Sequence, residues 1–225
     1  MVQSSHASPE GKRGWLGKAL IFLGLLALPA CQTTVMSQHE RARGLDRAQW
    51  SIVAQEEAWM NVPEASMVLE RRFADVVEQR VSLPNQTMLA GDNYVHVRAV
   101  PPSDSRIFEI ERALELVGGL PAPFTAEEIR VMHSREDSAG AINWTEWTDG
   151  AGNTCVLALR RFGPSVRVMP GRAHAMDVVV RNCSADGVEA ALRPAGPSAV
   201  TLPAAHGAAP GGDILTISPL AAPMP

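Results

Sequence analysis

The feature that most constrains this chain is an uncharged apolar run, Ala19 to Ala30, that begins just after a basic segment and ends at a cysteine. Lys12, Arg13 and Lys18 supply the positive charge, and only Gly24 and Pro29 interrupt the run. As a helix it reaches about 18 Å, well short of a hydrocarbon core of about 30 Å. A membrane-spanning helix is therefore the poorer reading, and a cleaved export signal the better one.

The end of the run, Leu28-Pro29-Ala30-Cys31, resembles the bacterial lipobox, in which a small residue precedes a cysteine that becomes the acylated N-terminus. The alternative is an ordinary secretory signal with a cysteine placed by chance. On the lipobox reading residues 1–30 are the signal peptide and the chain's partner is a lipid bilayer, entered through acylated Cys31. Each buried methylene contributes about 0.8 kcal/mol, so several acyl chains hold the protein essentially permanently. By similarity to other bacterial lipoproteins, Gln32 rather than Asp after the cysteine implies sorting to the periplasmic face of the outer membrane.

Of the three cysteines, two then remain, Cys155 and Cys183, in a compartment that oxidises thiols. A bridge between them closes a loop for which chain entropy gives about 3.5 kcal/mol. Two buried free thiols are the alternative. A redox pair is disfavoured, because no C-x-x-C spacing is present to lower a thiol pKa. The whole chain carries a formal charge of −4, and without residues 1–30 it has 17 basic against 23 acidic side chains. Such a balance lacks the basic face that a nucleic-acid binder needs.

Beyond the cysteine, residues 31–61 read as a polar membrane tether followed by a possible helix. Asp46 is its expected cap, with Leu45 and Trp50 as a staple, and it has to stop before Pro63. From residue 62 the period changes to two. Val77, Val81 and Leu83 alternate with Glu78, Arg80 and Ser82, and Val95, Val97 and Ala99 with Tyr94, His96 and Arg98. Ser105 to Val117 reads as a helix stopped by Gly118-Gly119, and Thr125-Ala126-Glu127-Glu128 as a capping box that opens another, ending near Ser134. Ala141 to Thr148 and Thr154 to Phe162 form a hairpin around Asp149-Gly150-Ala151-Gly152-Asn153, and His174 to Cys183 is a further strand. Antiparallel pairing of the last two strands places Cys155 beside Cys183.

After Leu192 the composition shifts: of the 33 residues from Arg193 to Pro225, 19 are Ala, Pro or Gly. That stretch reads as a disordered tail. The expectation is thus an α+β domain over residues 62–192, with a mostly antiparallel sheet, two or three short helices and one disulfide.

Chemistry-bearing patterns are sparse. His39, His96, His133, His174 and His206 stand at no metal-ligand spacing, so neither a metal nor another cofactor is expected. Ser165 lacks the second glycine of a nucleophile elbow. Glu109 with Glu111, and Glu127 with Glu128, fit solvated helix faces better than a glycosidase pair. Asp149 to Gly152 lacks the Lys-Ser/Thr ending of a phosphate loop. Trp144 and Trp147 are the candidates for glycan contact, since indoles stack on sugar rings. Three apart in a strand they point to opposite faces, so at most one is available on a given side, and core packing is the competing reading.

One order of motifs stands out after the lipobox. Gln79-Arg80-Val81-Ser82-Leu83-Pro84-Asn85 is followed by Gly91-Asp92-Asn93, Pro123-Phe124-Thr125 with Glu127-Glu128, Gly152-Asn153-Thr154-Cys155 and Val178-Val179-Val180-Arg181-Asn182-Cys183. Over about residues 68–192 this series resembles the cellulose biosynthesis protein BcsN family of bacterial envelope proteins. The resemblance implies a non-enzymatic accessory of cellulose or related exopolysaccharide production, with cellulose synthase or export components as partners and no active site to carry over. The competing expectations are a glycan-binding module of the envelope and a small envelope hydrolase.

Overall fold

Strands that alternate between apolar and polar residues, punctuated by Gly, Asn and Pro, make up most of the domain. The computed structural model describes residues 37–102 and 108–200. Its strands are β1 (Ser51–Val53), β2 (Met67–Phe73), β3 (Val76–Leu83), β4 (Asn93–Val100), β5 (His133–Asp137), β6 (Gly140–Thr148), β7 (Thr154–Phe162) and β8 (Ala175–Ser184). They form one eight-stranded sheet in the order β1-β2-β3-β4-β8-β7-β6-β5, with every neighbouring pair antiparallel. Two meanders therefore meet at a central seam, where Val95 opposes Val180 and Val97 opposes Val178. Four short helices accompany the sheet among the described residues: α1 (Gln38–Arg47), α2 (Ile110–Glu115), α3 (Ala126–Arg130) and α4 (Val188–Leu192). The expected α+β class, its antiparallel sheet and its disulfide are all present. Cys155 and Cys183 are directly opposed on β7 and β8 and are bridged.

One face of the sheet is a continuous apolar core. Val68, Val81, Val95, Val97, Val156, Ala158, Phe162, Met176, Val178 and Val180 lie on it, all at most 2% exposed. Trp59, Met60 and Val62 pack on it together with Ala191, Leu192, Ala195 and Ala199, the two segments being joined by the Asn61 N–H to Ala199 carbonyl bond at 2.8 Å. Polar groups on this face are staples. Buried Gln79 accepts from the backbone N–H of Trp59 at 2.8 Å and donates to the Glu57 carbonyl at 3.0 Å. Buried Arg160 donates to both oxygens of Asp137 and, at 2.6 Å, to the Ala195 carbonyl.

The opposite face is mixed. Over β6, β7 and β8 it carries a second apolar cluster, in which Leu157, Leu159, Val179 and the disulfide meet Leu114, Phe124 and Ile129 from the segment containing α2 and α3. Over β2, β3 and β4 it is ionic. Both halves are covered, the second by α1, whose Leu45 is 3% exposed. Gly44 permits that approach, because a Cβ there would collide with the Phe73 ring on β2.

Several boundaries differ from the expectation: α2 spans only Ile110–Glu115 within the expected 105–117 helix, and α3 stops at Arg130 rather than near Ser134, so that His133–Asp137 forms the unexpected edge strand β5. Within residues 31–61, expected to be a tether and a helix capped by Asp46, α1 is capped nine residues earlier, by Ser37, which forms a capping box with Glu40, and Asp46 lies inside the helix. The reciprocal bonds are Glu40 N–H to Ser37 Oγ at 3.2 Å and Ser37 N–H to Glu40 at 2.9 Å. The expected helical stretch after Asp46 instead holds β1 and a turn of 3-10 helix at Gln55–Glu57. At the other end, the residues from Arg193 to Val200 pack against the core as two 3-10 turns, because Pro194, Ala195 and Ala199 are small enough to lie flat on it. The remaining expected tail, residues 201–225, lies outside the described residues, as do the signal segment and Cys31.

Candidate functional site

The residues singled out by sequence lie apart from one another. Cys155 and Cys183 are buried in the bridge. Trp144 and Trp147 take opposite faces of β6, as alternation requires, and each is half-buried against the cluster on its own side. His133 stacks on the Trp144 ring at 5.3 Å between centroids, and the Arg135 guanidinium lies 5.4 Å from it. Trp144 is thus occupied by contacts within the protein, and the two indoles make no joint platform. Glu109, Glu111 and Glu127 are exposed. Glu128 accepts from the Thr125 backbone N–H at 2.6 Å and completes the expected capping box. Among the described residues no three His, Cys, Asp or Glu side chains gather at metal-binding distance.

The concentration of chemistry is instead the ionic half of the mixed face. Cross-strand register places Glu78 on β3 opposite Arg71 on β2 and opposite Arg98 on β4. Opposite charges across neighbouring strands attract, and here the carboxylate is 0% exposed. Arg71 Nε and Nη2 both reach Glu78 Oε2 at 2.8 Å. His96 Nε2 stands 3.5 Å from the same oxygen, and Arg98 Nε stands 3.8 Å from Oε1. Glu78 Oε1 and His96 Nε2 are buried without a hydrogen-bond partner. Burial pushes the Glu78 carboxyl upward, but His96, Arg71 and Arg98 together outweigh it and hold its pKa below the ordinary value. The Arg71 guanidinium also lies 4.6 Å over the Trp50 ring, whose indole meets His96 edge-on.

Above Glu78 opens a cleft of about 390 Å³. One wall is α1, with His39, Arg41, Ala42, Leu45 and Asp46; the other is α2 and its exit, with Arg112, Glu115 and Leu116. The floor is Arg71, Val76, Glu78 and Arg98. That volume falls in the range of small-molecule sites, about 300–1,000 Å³. Four guanidinium groups and a histidine share the lining with three carboxylates; Arg71 pairs with Glu78 and Asp46, and Arg41 with Asp75. An ionised, arginine-paired carboxylate has no proton to donate and little basicity, so it binds and orients better than it catalyses.

A second buried arginine has a structural task. Arg181, 1% exposed, donates to the carbonyls of Ala90, Gly91, Asp92 and Ala122 and to Asn93 Oδ1, at 2.7–3.2 Å. It ties the β3–β4 loop and the segment before α3 to β8. Gly91, at φ +100°, allows this approach, since a Cβ would meet the guanidinium at 2.9 Å.

No family model, no curated protein and no solved structure matches the chain.

The alternating pattern of β3 and β4 was visible in the sequence, but it assigned Glu78, Arg80, Tyr94, His96 and Arg98 to the side away from the core. That side is buried as well, beneath α1 and the segment containing α2. The available signal was charge: Arg71, Glu78 and Arg98 alternate in sign across three adjacent strands once the hairpin registers are drawn.

Proposed function

We propose that this chain is a lipoprotein of the bacterial envelope, held by acylated Cys31 on the periplasmic face of the outer membrane. There it acts as a non-enzymatic accessory in the assembly or export of cellulose or a related exopolysaccharide. The observation that carries the reading is the Cys155–Cys183 bridge, because structural disulfides persist in oxidising compartments and the bridge agrees with export directed by the segment ending at Cys31. The likeness to the BcsN family supplies the polymer. The cleft over Glu78 supports binding rather than turnover, since its carboxylate is held ionised among arginines. The experiment is Cys31→Ser in cells making the polymer. The variant is expected to stay unprocessed and leave the acylated membrane fraction, and deletion of the gene to lower polymer output. Unchanged membrane partitioning defeats the anchor, and unchanged polymer output defeats the accessory role.

A further inference from the structure

The sheet has two ends, and the chain leading back to Cys31 leaves the domain at one of them. The pairs Val77 with Ala99, Val100 with Ala175 and Phe162 with Met176 place the β2–β3 turn, the exit of β4 and the β7–β8 loop at the same end. Arg41 donates to Asp75 in that turn at 3.3 Å, so the start of α1 lies there too. Ser37 follows Cys31 by six residues, which span at most about 21 Å in any conformation. The ten residues of β8 extend about 33 Å, so a lipid on Cys31 holds this end of the sheet closer to a bilayer than the tether allows for the far end.

The β7–β8 loop, residues 163–174, stands about 10 Å from β3, two strand spacings across the sheet. Its shape is fixed from within. Val166, Met169 and Ala173 pack against the apolar core, buried Arg167 donates to the Trp59 carbonyl, and the His174 N–H bonds to the Val100 carbonyl at 2.8 Å. With both neighbours turned inward, Val168 points out and is 67% exposed, and Pro164 is exposed beside it.

A lone exposed valine needs no explanation, but the charge around this one is distinctive. From Arg160 to Met176 there is no Asp or Glu, in a chain that is acidic overall. Three of the four arginines in that stretch are committed: Arg160 to Asp137, Arg161 to Asp177 and Arg167 to backbone. Arg172 is exposed and has no ion-pair partner among the described residues, with exposed His174 next to it. Of the nearby carboxylates, Asp75 pairs with Arg41, and Glu109 opens α2 on the opposite face of the sheet.

We propose that residues 163–174 rest on the bilayer surface, with Val168 and Pro164 entering the headgroup layer and Arg172 binding lipid phosphate. Phospholipid is the occupant because the tether keeps a bilayer within reach of the loop, and an apolar tip beside an unpaired arginine suits the interface. This contact rests on the lipid anchor at Cys31 and adds an orientation to it.

The test uses an introduced thiol, which is the only free one in a chain whose Cys31 is acylated and whose other two cysteines are bridged. Val168→Cys and, for comparison, Met88→Cys each carry an environment-sensitive fluorophore. Met88 is 99% exposed on the β3–β4 loop at the opposite end of the sheet. The full chain, purified from membranes, is placed in vesicles of phosphatidylethanolamine with about a quarter phosphatidylglycerol. Iodide is expected to quench the label at 168 about threefold less than the label at 88. Arg172→Glu is expected to remove about half of that protection. Equal quenching at the two positions overturns the proposal, as does an Arg172→Glu chain that is protected like the parent. Protection that grows with protein density in the vesicles is contact between copies and overturns it too. The mass of the peptide bearing residue 31 reports the anchor separately: an acylated chain with equal quenching loses the loop contact and keeps the anchor, and an unacylated chain loses both.

Discussion

Along β3, Val77, Gln79, Val81 and Leu83 point to one side of the sheet and Val76, Glu78, Arg80 and Ser82 to the other, and the two sides are buried by different means. On the first side the cover is apolar, and its main polar groups are tied to backbone: Gln79 donates to the Glu57 carbonyl and Arg160 to the Ala195 and Gly140 carbonyls. On the second side, over β2 to β4, an ion cluster takes the place of hydrocarbon, and two of its polar atoms lack hydrogen-bond partners. Burying charge costs several kcal/mol per ion unless it is paired, so ionic burial is poor economy for stability alone. The apolar side is built for stability, and the ionic side retains chemistry at the expense of some of it.

Three measurements break or sharpen this contrast. Phe162→Ala on the apolar side is expected to destabilise most, by about 4 kcal/mol, through loss of a fully buried ring and the cavity it leaves. Urea unfolding should give that loss with little dependence on pH between 5 and 8 or on salt. A loss under about 1 kcal/mol would show that the apolar core repacks freely.

Glu78→Gln is expected to cost about 3 kcal/mol at neutral pH, the lower end for stripping one partner from a buried ion pair. Its pH dependence carries the contrast. Because the folded pKa of Glu78 lies below the unfolded one, its contribution is fully present above the unfolded carboxylate range, near about 4.3, and is lost as pH falls through the folded pKa. The stability gap between parent and Glu78→Gln should therefore close on acidification. A gap that is constant down to strongly acidic pH would mean that the ionised form of Glu78 adds nothing to folding. Asp137 beside Arg160 is also lowered, its own desolvation being outweighed by that arginine, so the parent alone does not isolate Glu78.

The smallest effect is expected at Ile52, on β1 and 75% exposed. Ile52→Thr should change the unfolding free energy by no more than about 0.5 kcal/mol. A larger loss would place a buried contact at the outer end of the mixed face.

Much of the sheet was legible because alternation is a backbone consequence: β3, β4, β6, β7 and β8 fall within a residue or so of the predicted strands. Hairpin pairing of β7 with β8 likewise followed from where Cys155 and Cys183 sit in their strands. β2 was hidden because Glu70-Arg71-Arg72 breaks the apolar pattern; Arg71 points inward to Glu78, which periodicity reads as outward. α1 was hidden because its single deeply buried anchor, Leu45, leaves no stripe, so its capping box at Ser37 was the better signal. At the far end, composition misled: alanine and proline mark flexible chain in general, yet Pro194, Ala195 and Ala199 close the core. The cleft was illegible for a related reason, since it depends on helices that cover a strand face and on two strands whose register had to be known first.

An open sheet has two outer strands, and here they are β1 and β5. β1 is three residues long, and β5 reads His133-Ser134-Arg135-Glu136-Asp137, without one apolar side chain. A brief strand offers too few backbone amides to template another chain, and a strand of charged and polar residues repels or hydrates any that approaches. The borders of the sheet are thus poor nuclei for intermolecular cross-β growth.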